Sequence, residues 1–586
     1  MARKKYSCDF ETTTDPLDCR VWAYGYMEIG RDSNYKIGNS LDEFMEWVAK
    51  CNSDLYFHNL RFDGEFILIW LLQNGFKWSD KRKPEPMTFN GVISRDNAVY
   101  RYDICYGYTN SGKKIHTVIY DSYKKLPYPV KVIAKAFNLP QLKGDIDYDA
   151  YRPVGHKITE EEYKYIYNDI KIIADALKIQ FEQGLKKMTI GSDSLNGFKS
   201  IYGKKQFEKT FPVLDMLTDD FIRLSYKGGF TWLNPKFANV VINKGRVYDV
   251  NSMYPAIMYK ELLPYGVPVR FKGKYEPDEK YPLYIQQISC IFELKEGKIP
   301  MIQVKNEPLK FKGSEYLTSS RGYEVKLTLT NVELELFLEN YKLNCVEYLG
   351  GYKFKGVRGI FKTFIDKWMN IKMNSEGAIR ELAKLMLNNL YGKFATNPDV
   401  TGKYPELKED GSLGFKMKPR ELSEPVYTAM GSFITAYGRC MTVRTGQSCY
   451  DRFIYADTDS VHVAGNEDIP EIADKIDSKK LGFWDHEATF ETGKYVRSKA
   501  YFLNLYAKKV IKDGVETVKP CGEEEATTRK RKVACAGMPE TLRNIVPFEE
   551  FKIGYTGTRL APRHVKGGIV LVDAPYTLKE DIWRYA

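Results

Sequence analysis

The chain predicts a multidomain protein of mixed α/β and α+β class, and three observations carry that expectation. Its 586 residues exceed what one hydrophobic core supports, so roughly two to five domains are expected. The first part alternates strand-like runs with amphipathic helical ones, the α/β pattern. Further on, two runs with the character of central strands, Val247 to Val250 and Phe453 to Tyr455, lie about 200 residues apart, with a strongly helical stretch, Ala378 to Tyr391, between them.

Taken in order, Lys5 to Thr12 reads as a strand, Leu41 to Ala49 as a helix, Asp54 to His58 as a strand and Gly64 to Gln73 as a helix. A long helix over Glu160 to Gln183 opens on the cap-like Thr159-Glu160-Glu161-Glu162. The Gly/Ser-rich Gly191-Ser192-Asp193-Ser194 reads as a break, and a domain boundary is expected there. Residues 261–357, rich in Tyr, Pro, Gly and Lys, and the turn-rich 396–425 read as inserted subdomains. Glu523-Glu524-Glu525 and Arg529-Lys530-Arg531-Lys532 read as a solvated charged loop.

Hydrophobic residues make up 43% and charged residues 28%, and no apolar run is long enough to span a bilayer. The opening Met1 to Tyr6 lacks the apolar stretch of a signal peptide, so a cytoplasmic protein is expected. The ten cysteines form no CxxC pair and no zinc-spaced cluster, which favours reduced thiols. A formal charge of +12 suits a polyanionic partner, since Lys and Arg contacts to phosphates release condensed counterions. Charge alone does not single out nucleic acid.

Asp9 and Glu11 are two apart on the first strand, so alternation puts both carboxylates on one face. Such a pair alone is usually part of an ordinary surface strand. It gains weight from Asn59-Leu60-Arg61-Phe62-Asp63, where a strand passes into a helix, and from Tyr165 and Asp169, neighbours on one helix face. Four carboxylates would repel one another unless divalent cations lay between them, the arrangement of two-metal phosphodiester hydrolysis. Lys143 is a candidate partner or simply a solvated lysine, and His58 reads as a hydrogen-bonded histidine beside the site and not as a ligand.

Tyr455-Ala456-Asp457-Thr458-Asp459-Ser460 lies between two β-prone runs and reads as a hairpin with acidic residues at its tip, which alone could be a plain Asp-rich turn. Asp249 ends another strand, and the pair Asp249 and Asp459 could bridge two Mg²⁺ ions serving a primer 3′-OH and an incoming triphosphate. Lys384, Asn388 and Tyr391 recur at helical spacing, with Arg380 extending the stripe backwards. A cation, an amide and a ring suit a triphosphate and a base; a mixed solvent face is the plainer reading.

These segments resemble the motifs of family B DNA polymerases: DxE, then N-x₂₋₃-(F/Y)-D and Y-x₃-D of the exonuclease domain, then DxxSLYP, KxxxNSxYG and YxDTDS of the polymerase domain. Met253, Asn389 and Ala456 depart from the usual Leu, Ser and Gly without removing a charge. Across nearly the whole chain the sequence is similar to the φ29-type, protein-primed polymerases of Bacillus phages. The resemblance implies an RNase H-like 3′→5′ exonuclease domain (1–189) followed by a right-hand polymerase domain. The latter comprises palm (190–260 and 427–532), a first terminal protein region insert (261–357), fingers (358–394), a second such insert (395–426), and thumb with C-terminal tail (533–586).

By the same resemblance Asp9, Glu11, Asp63 and Asp169 bind metal, Tyr165 orients water, and Lys143 lies near the scissile phosphate. Thr12, Asn59 and Phe62 hold the frayed primer end, and His58, Ser122 and Tyr148 are implied as further DNA-binding residues. Asp249, Val250, Asp457 and Asp459 are implied as the second metal site. Tyr254 excludes a ribose 2′-OH, Lys372, Arg380 and Lys384 contact the triphosphate, and Asn388 and Tyr391 line the nascent pair. Tyr226, Gly228 and Gly229 (YxGG) face the template; Lys499 and Tyr501 (KxY) face the primer terminus. Two Mg²⁺ per site, replaceable by Mn²⁺, are implied as cofactors. The implied partners are primer-template DNA, dNTPs and a terminal protein primer bound by a monomeric chain in the cytoplasm of an infected bacterium, along with processive strand displacement. Two rival readings, a nuclease whose second half only binds DNA and a non-catalytic replication partner, are disfavoured by the intact set Asp249, Asp457 and Asp459.

Overall fold

The computed structural model describes residues 3–140, 143–304, 315–512 and 515–580. Leu142 beside Lys143, residues 305–314 of the expected first insert, and the tail beyond 580 lie outside the described residues, as do Met1 and Ala2. No helix among the described residues is long and apolar enough to cross a membrane, and all ten cysteines are free.

Eight strands form the first sheet: β1 (Lys5–Thr12), β2 (Val21–Glu28), β3 (Tyr35–Gly38), β4 (Asp54–Phe57), β5 (Lys77–Trp78), β6 (Thr88–Ile93), β7 (Val99–Tyr108) and β8 (Lys114–Asp121), in the order β3-β2-β1-β4-β8-β7-β6-β5. Strand β1 lies inside it, antiparallel to β2 and parallel to β4. The long helix Glu160–Glu182 starts at a capping box in which Thr159 and Glu162 satisfy each other's backbone N–H groups, worth about 1 kcal/mol. It crosses β2 at Gly25, the register partner of Asp9. A Cβ on Gly25 would come 2.8 Å from Ile166 Cγ2, so the glycine lets the helix settle onto the sheet beside the strand that bears Asp9.

The second half contains β9 (Thr231–Leu233), β10 (Val241–Val250), β11 (Leu263–Phe271), β12 (Leu283–Leu294), β13 (Val325–Thr330), β14 (Tyr341–Val357), β15 (Lys403–Leu407), β16 (Leu413–Met417), β17 (Phe453–Asp457), β18 (Ser460–Ala464), β19 (Trp484–Arg497), β20 (Ala500–Lys512), β21 (Val515–Pro520), β22 (Thr528–Cys535), β23 (Thr556–Val565) and β24 (Gly568–Thr577). Its main sheet runs β21-β20-β19-β10-β18-β17-β9, with β22 also on β20. The expected first insert is a separate sheet, β11-β14-β12-β13, and β15–β16 and β23–β24 are isolated hairpins. Behind β17 and β18 packs the helix Thr428–Ser448, buried along most of its length.

Several expectations need correction. The helix expected from Gly64 starts at Leu60, because Asn59 takes a left-handed conformation (φ 69°) that turns the chain directly out of β4, which ends at Phe57 rather than at His58. Gly191 to Ser194 is no loop but part of the helix Ile190–Tyr202, capped by Thr189. Its small residues serve helix packing: a Cβ on Gly191 would lie 3.0 Å from Lys393, and one on Gly197 would lie 3.3 Å from Met386. Asp193 on that helix is buried against Lys125 of the first half at 2.5 Å, a pair whose breakage costs about 3–5 kcal/mol. The basic run Arg529 to Lys532 is likewise not a loop but strand β22, with Arg529 on Glu491 and Lys532 on Glu487. Alternation hid it, since a strand built of cations needs anions across the sheet to hold it.

The C-terminal hairpin returns to the first sheet's core. Ile569 and Val570 join Phe66 and Leu413 in one buried cluster, and His564 Nδ1 meets Glu65 Oε2 at 2.8 Å. A Cβ on Gly568 would stand 2.2 Å from the ring of Phe66, which is itself buried. Gly568→Val should therefore push the hairpin off the helix Leu60–Gln73 at a cost of about 1–3 kcal/mol. Limited proteolysis should then cut within 556–577 faster than in the parent protein; an unchanged cleavage rate would contradict this docking.

Candidate active sites

The first constellation assembles as strand alternation predicts. Ligand atoms of Asp9, Glu11 and Asp169 all lie within 4.8 Å of one another. Asp63, buried on the first turn of its helix, adds its charge to Asp9. Burial, followed by repulsion from Asp169, pushes Asp9 up to about 7, and burial with repulsion from Asp9 lifts Glu11 and Asp63 well above the carboxylate range. Lys143 donates to Asp169 Oδ2 at 2.7 Å. Burial alone would lower that ammonium, yet Asp169 holds it above its ordinary value. The other oxygen, Asp169 Oδ1, is buried without a hydrogen-bond partner. One lysine does not balance four carboxylates, so the donor set fits hard cations.

Tyr165 stands one helical turn before Asp169, with Lys143 Nζ 5.1 Å from its ring and the hydroxyl of Tyr148 2.5 Å from its own. Tyr148 is half exposed, and Thr12, Asn59 and Phe62 keep surface at the same end of the sheet. His58 has both ring nitrogens engaged, Nδ1 with Ser122 Oγ at 3.0 Å and Nε2 with Tyr128 O at 2.8 Å. Burial lowers its pKa to about 4, so the ring is neutral. Ser122 has no exposed surface and its hydroxyl donates to the Phe57 carbonyl. As placed, it braces His58 and offers no surface to a strand.

The second constellation lies where β10 meets the β17–β18 hairpin. Asp249 pairs in register with Ser460, Asp457 also pairs with Ser460 across the hairpin, and the Val250 N–H donates to the Asp459 carbonyl at 2.9 Å. Asp249, Val250, Tyr254, Lys372, Lys384, Asn388, Tyr391 and Asp459 line one open cleft of about 380 Å³. Burial, then Asp459, Glu487 and Asp485, raises Asp249 to about 7; burial also raises Asp459. Among the described residues no Lys or Arg forms an ion pair with either.

Asp457 differs in its surroundings. Lys499 Nζ lies 3.0 and 3.2 Å from its two oxygens, Thr231 donates at 2.8 Å, and Tyr455 and Thr458 donate at 3.3 Å each. Its acceptor directions are taken by protein donors, which leaves Asp249 and Asp459 as the open pair. Thr458 between them has φ 62°, a strain of about 1–3 kcal/mol for a β-branched residue.

Around the cleft, the rings of Tyr254 and Tyr391 are 4.1 Å apart and Lys372 donates to Ser252 Oγ at 3.1 Å. Lys384 is held by Glu381 at 2.6 Å. Burial, together with Lys384 and Arg380, lowers Lys372. Arg380 itself is exposed, and its charge acts on Lys372 at the edge of the cleft. Tyr501 packs its ring 5.6 Å from Tyr455 and 5.2 Å from His462. In the YxGG segment, Arg439 binds the carbonyls of Lys227 and Gly228 at 2.7 and 2.6 Å, and Tyr226 is half-buried beside it. Asp485 and Glu487, two apart on β19, were not singled out from the sequence; only the register of Asp249 with Asp485 reveals them.

A family model for DNA polymerase type B, organellar and viral, matches residues 46–478. The DNA polymerase of Bacillus phage Nf is 58% identical over 99% of this chain and 100% of that protein. The chain belongs to the family B DNA polymerases of organellar and viral type. The DNA polymerase of Bacillus phage phi29 is also 58% identical, over 99% of this chain and 100% of its own length. That of Streptococcus phage Cp-1 is 31% identical over 98% of each chain. Among solved structures, phi29 DNA polymerase complexed with primer-template DNA matches with a TM-score of 0.94 at 57% identity, covering 99% of this chain and 100% of that one. This polymerase is thus of the phi29 type, with an exonuclease and a polymerase domain in one chain.

Raised carboxylates have a consequence for stability. The folded-state pKa of Asp249, about 7 against an ordinary 3.8, means that it favours the folded state below about pH 4 and loses that contribution as pH rises through 7. In a chelator at pH 8, Asp249→Asn should melt on the order of 1–3 °C above the parent polymerase, and the gap should close towards pH 4. Added Mg²⁺ should restore the parent's advantage. A parent that melts higher in chelator at pH 8 would contradict the buried repulsion.

Proposed function

We propose that this polymerase couples two metal-dependent activities, template-directed addition of dNTPs at Asp249 and Asp459 and 3′→5′ removal of mispaired ends at Asp9, Glu11, Asp63 and Asp169. The observation that carries the reading is the presence of two separate groups of partly buried, mutually repelling carboxylates, one of which, Asp249 with Asp459, lines an open cleft. Divalent cations bound there, Mg²⁺ or Mn²⁺, supply the charge that activates the attacking oxygen and stabilises the leaving one.

The chain's own groups do the rest. In the synthesis cleft Lys372 and Lys384 receive the triphosphate and neutralise its charge. The adjoining, tilted rings of Tyr254 and Tyr391 form a floor for the sugar and base, and Tyr254 fills the space a 2′-OH would need. Asp457 keeps Lys499 beside the primer terminus. In the degradation site Lys143 is held charged by Asp169 within reach of a phosphate, Tyr165 orients the attacking water, and Asn59, Phe62 and Tyr148 grip an unpaired end. The phi29 relative has been solved with primer-template DNA and incoming nucleotides, and the same partners are proposed here.

Separation of the two activities tests the scheme. Asp459→Asn should abolish primer extension, by about 10³-fold or more, while single-stranded DNA is still degraded. The double variant Asp9→Ala/Asp63→Ala should do the reverse, extending primers and accumulating mismatches. Loss of both activities in either folded variant would refute two sites.

Likeness to the phi29 type also supports a protein-primed start and unassisted strand displacement, with the insert over β11–β14 gripping template through its lysines and tyrosines. That insert is no detachable module: Glu333 on its helix is buried against Arg439 at 2.6 Å, so excising it whole would strand a buried guanidinium. The polymerase alone on a primed single-stranded circle is the cleaner test. Products many times the circle's length are expected, whereas arrest after one circuit would exclude displacement.

A further inference from the structure

Thr458 sits between two hairpin carboxylates in a left-handed conformation, φ 62°, that threonine seldom adopts. Three hydrogen bonds hold it. Its N–H donates to the Phe230 carbonyl at 2.7 Å, its carbonyl accepts from Thr442 Oγ1 at 2.7 Å, and its hydroxyl donates to Asp457 at 3.3 Å.

Gly229 closes the remaining side. A Cβ built on it would stand 2.5 Å from Thr458 Oγ1, 2.7 Å from Cγ2 and 2.9 Å from Cβ. Its φ is not positive, so this glycine is required by contact and not by conformation. The neighbouring Gly228 has nothing within 4 Å of its would-be Cβ, so the two glycines of one motif answer different demands. Because Thr458 Cβ is among the crowded atoms, no change of rotamer relieves the contact. The turn itself would have to move, taking with it Asp459, whose carbonyl binds the Val250 N–H at 2.9 Å.

We propose that Gly229 is the seat of Thr458, so that the loop from Tyr226 to Phe230 positions the hairpin carboxylates in addition to any contact it makes with template. The proposal rests on the assignment of Asp249 and Asp459 to synthesis. Gly229 and Thr458 are positioning residues in it, acting on Asp459 against Asp249.

The test is a double-mutant cycle of Gly229→Ala and Thr458→Gly. Gly229→Ala should slow primer extension about tenfold or more and raise the Mg²⁺ needed for half-maximal rate severalfold. Degradation of single-stranded DNA, which uses the other carboxylate group, should stay within about twofold of the parent. Adding Thr458→Gly should bring extension back to within about threefold of Thr458→Gly alone, whereas Thr458→Ser, which keeps Cβ and Oγ1, should not rescue. The proposal is overturned if Gly229→Ala extends normally, or if it weakens duplex binding and Thr458→Gly fails to rescue it. Failure of the underlying assignment reads differently: Asp459→Asn would itself still extend primers.

Discussion

Like charges held close together in a low-dielectric interior govern this molecule. Water would separate Asp9, Glu11 and Asp169, or Asp249 and Asp459, but burial and rigid strands do not allow it. The result is a set of carboxylates lifted to about 7 at Asp9 and Asp249, a standing cost at neutral pH that protons or bound cations offset. Each site is therefore costly while its carboxylates are ionised and unpaired.

The fold meets that constraint in two ways. In the first sheet, Gly25 opposite Asp9 lets a capped helix deliver Asp169 onto the strand. In the second, β10 lies between β18 and β19, so Asp249 is placed against the hairpin tip by backbone pairing on both sides. Between the halves runs the buried pair of Lys125 and Asp193, and the C-terminal hairpin reaches back to Glu65. The two carboxylate groups thus share one frame while staying apart.

Much of this was legible in the residues alone. Period-two spacing of Asp9 and Glu11, the i,i+4 pair Tyr165 and Asp169, and the acidic hairpin tip all depend on local geometry, which sequence spacing encodes. The stripe through Lys384, Asn388 and Tyr391 emerged for the same reason. What escaped depends on register between distant segments. Lys499 neutralises Asp457 across 42 positions, Asp485 faces Asp249 only once β19 is aligned, and Gly191 looks like a break until the helix it packs against is in place. The left-handed Thr458 was invisible too, because nothing in a threonine announces that its neighbours will hold it there.

Anomalous diffraction from crystals soaked in Mn²⁺ tests the central claim most directly. Peaks are expected among Asp9, Glu11 and Asp169 and between Asp249 and Asp459, with none on Asp457, where Lys499 already supplies the positive charge. An absence of peaks at both carboxylate groups, or a peak on Asp457 with Lys499 displaced, would contradict the account.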